Sequence, residues 1–185
     1  TMLYKLIDTT NNNASGNGIE SLELNAKIEG FWDGSTMQSD TVTVIIRAPL
    51  SPYLIVDSAK IVLNSNGYAL ANFFNISSGI NYYIVLKHRN CIETWSSSGG
   101  ISYDPMKINS YDFTSSDKQA YGNNMILVDN SPVKYAMYSG DVNNDGTVEL
   151  SDLIEVYTGA VNFISGDALH DLNGDNTVNL NDLLI

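Results

Sequence analysis

The sequence predicts a mainly β protein, in which an antiparallel β-sandwich is followed by a small α-helical module. Short alternating or β-branched runs recur along the first 138 residues, and no notable helical period interrupts them before residue 150. Two similar twelve-residue segments then begin thirty residues apart, at residues 141 and 171. These observations divide the chain into an N-terminal strand and flexible linker (1–19), a sandwich (20–139) and a second module (140–185).

The predicted strands follow one another at short intervals. The first has a period of two, with apolar Leu22, Leu24, Ala26 and Ile28 separated by polar residues. The next segments are rich in β-branched or aromatic residues: 41–47, 53–63, 68–74, 82–87, 92–95, 110–113, 125–128 and 134–138. The sequence Asn-Ser-Asn-Gly at 64–67 predicts a hairpin turn, because Asn and Gly tolerate a positive φ.

Composition excludes several classes of function. The 185 residues are 43% hydrophobic, which is enough for a packed core, and no apolar run approaches the roughly 20 residues that span a membrane. The net charge of −12 argues against binding to nucleic acid, whose phosphates require a basic surface. Cys91 is the single cysteine, so no intrachain disulfide can form.

Charge is distributed unevenly along the chain. Residues 141–185 contain nine acidic residues and neither Lys nor Arg, whereas residues 1–140 contain twelve acidic and nine basic residues. A change this sharp indicates two parts with different chemistry, which meet near Gly140. The acidic part is suited to metal cations or basic partners.

The two repeated segments have the spacing of EF-hand calcium loops. Ca²⁺ takes six to eight oxygen ligands at roughly 2.3–2.6 Å, which a loop with oxygen side chains at alternate positions can supply. The first loop is predicted to bind one Ca²⁺ through Asp141, Asn143, Asp145, the Thr147 carbonyl, Glu149 (through water) and Asp152. The second is predicted to bind another through Asp171, Asn173, Asp175, the Thr177 carbonyl, Asn179 and Asp182. A solvated Asp- and Asn-rich surface loop is the alternative, and the repetition of the pattern argues against it.

Other loop positions carry further expectations. The sixth position requires a positive φ, which Gly146 and Asn176 can supply. Val148 and Val178, at the eighth positions, are expected to be buried and to join the loops by a short two-strand contact. Apolar residues after the first loop predict a helix that ends at Gly159. The first loop has four carboxylates and the second three, so tighter binding is expected at the first.

The pair of loops resembles the dockerin repeats of secreted polysaccharide-degrading assemblies. Those repeats also place Asp at the twelfth position and also lack an entering helix, and the resemblance covers residues 140–185. It implies two Ca²⁺ ions, a bacterial extracellular or cell-surface location and a protein partner. At the positions where the best-known dockerins contact cohesin with hydroxyl pairs, this chain has Leu150-Ser151 and Leu180-Asn181. Leu150 and Leu180 are therefore expected to contact either the chain's own sandwich or a neighbouring protein.

The sandwich resembles, more weakly, the Ig-like or prealbumin-like modules of bacterial surface and secreted proteins. The resemblance rests on residues 82–95, which include His88, Arg89, Asn90, Glu93 and Trp95. No nucleophile motif accompanies these residues, so they are interpreted as a structural network with Trp95 in the core rather than as an active site. The aromatic residues leave a second interpretation open, in which Trp32, Trp95 and the tyrosines bind a glycan instead of filling the core.

An apolar N-terminal patch suggests a route to assembly. Its residues are strand-like and are separated from the sandwich by a Gly- and Asn-rich stretch: Leu3, Tyr4, Leu6 and Ile7. We hypothesise that the patch adds to a sheet edge, either in its own sandwich or in a second copy, where it would generate a filament.

Two functions are therefore predicted. The first is a non-catalytic, calcium-binding extracellular module that associates with another protein or with copies of itself. The alternative is an accessory carbohydrate-binding or dockerin-bearing end of a polysaccharide-degrading enzyme.

Overall fold

The computed structural model describes residues 20–104, 107–166 and 168–185. The predicted N-terminal strand, with Leu3, Tyr4, Leu6 and Ile7, lies outside these residues. The described chain is mainly β and contains one α-helix. Its strands are β1 Glu20–Asn25, β2 Asp40–Arg47, β3 Ile55–Leu63, β4 Tyr68–Phe73, β5 Asn81–Lys87, β6 Thr94–Trp95, β7 Ile101–Ser102, β8 Asn109–Asp112, β9 Ile126–Asn130 and β10 Val133–Ala136, and its helix is α1 Leu150–Val161. Within the described residues, no helix is both long and apolar enough to cross a membrane.

Two sheets and one hairpin make up the β-structure. The small sheet has the order β4-β1-β8, and the large sheet has the order β3-β2-β5-β6, with β7 paired to β5. β9 and β10 form a separate antiparallel hairpin. The prediction of an antiparallel sandwich is wrong at one point, because β8 pairs with β1 in parallel, with Leu22 opposite Asn109. β7 lies in the large sheet and β8 in the small one, so the chain crosses between the sheets before β8. After this crossing, β8 runs in the same direction as its neighbour β1.

One continuous apolar cluster lies between the two sheets. Leu22 and Leu24 of β1 are fully buried in it, as are Val44 and Ile46 of β2 and Ile84 of β5. The period of two predicted for the first strand is confirmed, since alternate side chains of β1 enter this cluster. Each such side chain contributes about 1.5–3 kcal/mol to folding, which makes this cluster the main source of stability for the sandwich.

Lys27 departs from the expected alternation. Its side chain is buried, and its ammonium nitrogen lies 3.5 Å from the centroid of the Trp32 ring. The nitrogen also donates to the Asn66 carbonyl at 3.4 Å. Burial, which disfavours the charged form, lowers the pKa of Lys27. The cation–π contact offsets part of that cost.

The predicted hairpin at residues 64–67 is instead a corner between the two sheets. β3 lies in the large sheet and β4 in the small one, so the turn between them joins the layers rather than two paired strands. Gly67 has a φ of 77°, and its carbonyl accepts the Ala26 N–H at 2.9 Å. A Cβ at Gly67 would lie 2.3 Å from the Ala26 oxygen. The prediction of a turn at Asn-Ser-Asn-Gly is therefore confirmed, but the local sequence does not indicate which sheet the next strand joins.

Replacement of Gly67 tests this corner. Gly67→Ala is expected to destabilise the protein by roughly 3 kcal/mol, because it adds an overlap with the Ala26 carbonyl to the cost of a positive φ. Gly79→Ala is the matched control, since Gly79 has a φ of 76° and nothing within 4 Å of the added Cβ. It should cost about 1 kcal/mol. Urea denaturation measures both, and equal losses would contradict the role assigned to the corner.

Candidate calcium-binding loops

The first loop is held together by two buried carboxylates at its ends. Asp141 and Asp152, at the first and twelfth positions, are each 2% exposed. One oxygen of Asp152 accepts the Val142 N–H at 2.9 Å, and the other accepts the Glu149 N–H at 3.0 Å. Asp141 accepts the N–H groups of the fifth and sixth residues at 3.0 and 3.1 Å. The carboxylates therefore bring the two ends of the loop together.

The second loop repeats this arrangement. Asp171 and Asp182 are each 1% exposed. Asp182 accepts the N–H groups of Leu172 at 2.8 Å and of Asn179 at 2.8 Å, which are again the second and ninth positions. Asp171 accepts the N–H of Asn176, at the sixth position, at 3.0 Å. The repeat seen in the sequence is thus also a repeat of hydrogen bonding.

The backbone of both loops has the predicted left-handed residues. Gly146 has a φ of 91° and Asn176 a φ of 66°, so the expectation for the sixth position is confirmed. The fourth positions, Asn144 and Gly174, also have positive φ values, of 58° and 75°. These two positive φ values were not predicted from the sequence, although Asn and Gly are the residues that such a conformation favours.

Electrostatics in the loops favour a bound cation. Burial raises the pKa of Asp141, and the neighbouring carboxylate of Asp152 raises it further. Burial likewise raises the pKa of Asp171, with a further contribution from Asp182. Residues 141–185 contain no Lys or Arg that could offset these charges. Buried charges are stable only when they are paired or coordinate a metal. Because residues 141–185 lack positive charge of their own, their buried carboxylates need a cation from outside this segment.

The donor atoms of each loop suit a hard cation such as Ca²⁺, because all of them are oxygens. In the described part of the chain, no group of three or more His, Cys, Asp or Glu side chains is arranged to hold a metal ion. A site in either loop would therefore depend on amide and backbone oxygens as well as on carboxylates. Asn143, Asn173 and the Thr147 and Thr177 carbonyls supply these types of donor at the third and seventh positions.

The predicted contact between the two eighth positions is wrong. Val178 is buried, but Val148 is 51% exposed. The Val178 N–H donates to the Ile164 carbonyl at 3.0 Å, and Thr177 forms a bridge with Ser165. The second loop therefore pairs with the segment after α1 and not with the first loop. Val178 also packs against Gly159 of α1, so the eighth position of the second loop contacts the helix.

The helix passes through the residue that was expected to end it. α1 continues to Val161, and Gly159 is buried within it. A Cβ at Gly159 would lie 3.1 Å from both His170 and Val178, so glycine permits a close approach here and does not terminate the helix. Glu149 is the N-cap of α1 and forms a capping box with Asp152, a role that the loop pattern alone did not predict.

A short turn of the sandwich attaches the second loop. The Asn90 side chain is fully buried and donates to the Leu169 carbonyl at 3.1 Å and to the Asp171 carbonyl at 2.9 Å. Arg89 donates to the Ala168 carbonyl at 3.1 Å and lies 3.9 Å from the Asp171 carboxylate. Arg89 and Asn90 thus belong to a hydrogen-bonded structural network, and that network extends to the C-terminal loops.

The same turn also attaches the first loop. The Asn90 carbonyl accepts the Gly140 N–H at 2.8 Å, and the Arg89 carbonyl accepts a side-chain N–H of Asn144 at 3.0 Å. Gly30 packs so closely against the second loop that a Cβ would lie 2.1 Å from the Leu172 oxygen. Both loops are therefore held against one end of the sandwich.

A Cys-His-Asp arrangement lies beside this turn. The His88 ring contacts the Cys91 sulfur at 3.2 Å through Nδ1 and the Asp40 carboxylate at 3.2 Å through Nε2. Cys91 is buried, and burial raises the pKa of its thiol to about 12. A thiol that stays protonated is a poor nucleophile, so this arrangement is suited to structure rather than to catalysis.

Trp95 is not in the core, contrary to the interpretation from sequence. Its side chain is half-buried, and it lies outside the apolar cluster between the sheets.

The two residues that were expected to contact another surface, Leu150 and Leu180, are 67% and 68% exposed. Neither is buried against the sandwich, so a contact with a neighbouring protein stays a prediction.

No family model matches this sequence, and a search of curated proteins found no match. Among solved structures, two similar chains come from crystal structures of type II cohesin–X–dockerin complexes of Acetivibrio cellulolyticus. One is from a C-terminal interface mutant, with 17% identity, a TM-score of 0.46 and coverage of 90% of each chain. The other is from an N-terminal interface mutant, with 16% identity, a TM-score of 0.46 and coverage of 89% of this chain and 91% of that one. Neither similarity assigns a family or a function to this chain.

Replacement of Asn90 tests the attachment of the loops. Asn90→Ala is expected to destabilise the protein by about 2–3 kcal/mol, because it removes the donor of the buried bond to the Asp171 carbonyl and of the part-buried bond to the Leu169 carbonyl. Limited proteolysis should then cut residues 140–185 faster. Asn81→Ala is the matched control, since Asn81 is exposed and donates one hydrogen bond, to the Gly99 carbonyl. If the two variants were cut at the same rate, the attachment would not depend on Asn90.

Proposed function

We propose that this chain is a non-catalytic, calcium-dependent module that associates with proteins outside the bacterial cell. One observation carries the proposal: four buried aspartates occupy the ends of two repeated loops, in a segment without Lys or Arg. Such a segment requires cations for its charge balance. Calcium is the cation that matches both the oxygen donors and the twelve-residue spacing.

The residues that would hold the ions are those at the ligand positions of the two loops. In the first loop these are Asp141, Asn143, Asp145, the Thr147 carbonyl, Glu149 and Asp152; in the second they are Asp171, Asn173, Asp175, the Thr177 carbonyl, Asn179 and Asp182. Bound calcium supplies positive charge to the buried carboxylates. Two ions would leave a formal charge of −5 on a segment that carries −9 without them.

Calcium would also stabilise the fold of residues 140–185. An ion that binds only the folded loop adds RT ln(1 + [Ca²⁺]/Kd), which is about 2.7 kcal/mol per site at a hundredfold excess over Kd. EF-hand loops of extracellular modules bind with Kd values of roughly 10⁻⁴–10⁻³ M. A location outside the cell, where calcium is abundant, follows from this requirement.

α1 offers the surface for association. Its residues Leu150, Leu153, Ile154, Tyr157 and Val161 are all about half exposed or more, whereas Val156 is buried. A helix at the surface of a globular protein normally turns its apolar stripe to the core. Here much of that stripe faces outward, and contiguous exposed apolar surface marks an interaction site.

The partner we propose is a protein with an apolar patch that covers the exposed side chains of α1, either another protein or a second copy of this chain. A second copy of this chain is the version of the proposal that can be tested directly. The predicted N-terminal strand would extend such an assembly by adding to a sheet edge of the next copy.

Calorimetric titration tests calcium binding. The wild-type chain is expected to bind two Ca²⁺, more tightly at the first loop, which has four carboxylates against three in the second. Asp141→Asn and Asp171→Asn should each remove one site, because each replaces a first-position carboxylate. Glu155→Gln is the control, since Glu155 is exposed on α1 and outside the ligand positions. Absence of heat from the wild-type titration would contradict the proposal.

Light scattering tests association through α1. We expect the wild-type chain to grow in size in calcium and to return to a monomer when calcium is chelated. Ile154→Ser should weaken association by about tenfold, because it removes an exposed apolar contact without disturbing the buried face. Val62→Ser, at an equally exposed position on β3, should have no effect. A chain that stays monomeric in calcium would exclude self-association.

A further inference from the structure

An aromatic cleft lies on the sandwich, and it shares no residue with the calcium loops or α1. Tyr53, Tyr83, Trp95 and Tyr121 line it, and its volume is about 330 Å³. The four residues come from separate segments: the loop before β3, strands β5 and β6, and the 3₁₀ turn Tyr121–Asn123. Sites for small ligands commonly have volumes of roughly 300–1,000 Å³ and are lined by aromatic side chains.

Strand alternation places these residues on the outer face of the large sheet. Tyr82 enters the core cluster, so its neighbour Tyr83 points to the opposite face. Arg47 lies opposite Tyr83 in the pairing of β2 with β5, and Trp95 lies opposite Val85 in the pairing of β5 with β6. Residues at paired positions share a face, so Arg47 and Tyr83 flank one another on the outside of the sandwich.

Three of the rings form a fixed wall. Tyr53, Tyr83 and Trp95 contact one another with ring centroids 5.7–5.8 Å apart. The Trp95 indole N–H donates to the Glu93 carboxylate at 2.8 Å, and Arg47 donates to the Tyr53 carbonyl at 3.2 Å. A wall held by such contacts loses little conformational entropy when a ligand binds.

The fourth ring of the cleft, that of Tyr121, is exposed and is not part of the apolar core. Tyr121 is 61% exposed. Among the described aromatic pairs, it makes no ring contact with the other three residues. An aromatic side chain left exposed beside a preformed aromatic wall is available to a ligand.

We propose that this cleft binds a neutral oligosaccharide. Sugar rings present apolar C–H faces, which pack on aromatic rings, and hydroxyl edges, which need both donors and acceptors. Glu93 and Arg47 lie at the Trp95 ring, through the indole hydrogen bond and through a guanidinium carbon 5.1 Å from the ring centroid. They place an acceptor and donors next to the aromatic wall, and their opposite charges offset each other, which favours a neutral ligand.

Two other occupants fit the cleft less well. A proline-rich peptide has no backbone N–H at its prolines, so it would leave the Glu93 acceptor beside Trp95 without a donor from the ligand. A cationic ligand would meet the guanidinium of Arg47, which already lies over the Trp95 ring. The oligosaccharide is therefore the ligand class that the cleft favours.

Calorimetry with a panel of neutral hexasaccharides of the gluco, manno, xylo and galacto series tests this site. At least one is expected to bind at millimolar concentrations or below, and Tyr121→Ala should weaken that binding by at least about tenfold. Phe74→Ala is the matched control, because Phe74 is an exposed aromatic residue that does not line the cleft, and it should leave binding unchanged. Both replaced side chains are largely exposed, so the fold should survive either change.

The outcomes separate this site from the proposed calcium function. Binding should be the same in calcium and in chelator, because the cleft contains no loop residue. The proposal is overturned if no hexasaccharide of the panel binds, if Tyr121→Ala has no effect, or if a decaproline peptide binds in place of the sugars.

Discussion

The C-terminal quarter of this protein, residues 140–185, depends on the charge balance of four buried aspartates. Asp141, Asp152, Asp171 and Asp182 accept the backbone N–H groups that close the two loops, and each is almost completely removed from solvent. The apolar core of the same segment consists of Val142, Val156 and Leu172, with Leu183 packed against them. Val178 is also buried, and four buried apolar side chains among the described residues are few for a segment of this length. Units this small commonly rely on disulfides, metals or oligomerisation. With one cysteine in the chain, an intrachain disulfide cannot form, which supports the calcium ions proposed above.

The sandwich also stabilises the two loops, and in the described part of the chain it gives the second loop an ion pair that the first loop lacks. Arg89 places a guanidinium 3.9 Å from Asp171, so the second loop already has a cationic partner. Within the described residues, no ion pair involves Asp141 or Asp152. Under the proposed function, the fold of the first loop should therefore depend more strongly on calcium than that of the second. Asn90 and Arg89 contact both loops, so the state of one loop can affect the other through this turn.

The sequence predicted features that depend on local geometry. The alternation of Leu22 and Leu24, and the positive φ of Gly146 and Asn176, follow from backbone geometry and were confirmed. Features set by tertiary contacts were predicted wrongly. Gly159 lies inside α1 because His170 and Val178 approach it, and nothing near Gly159 in the sequence indicates that contact.

The aromatic cleft was obscured for a similar reason. Tyr82 and Tyr83 are adjacent aromatic residues on opposite faces of β5, so their pattern does not state which of them is in the core. Trp95 was placed in the core because large aromatic residues usually lie there. The position of Arg47 opposite Tyr83 was the useful signal, since a charged residue marks the outer face, but it requires the strand register.

Amide hydrogen exchange in calcium and in chelator measures most directly whether cations order the C-terminal loops. The Val142 and Leu172 amides are the best reporters, because each donates to a twelfth-position aspartate, at 2.9 and 2.8 Å. If calcium balances the buried carboxylates, protection of these amides should rise on the order of a hundredfold at a calcium concentration a hundred times Kd, while amides of β2 and β5 stay unchanged. Equal protection of Val142 and Leu172 with and without calcium would contradict the account.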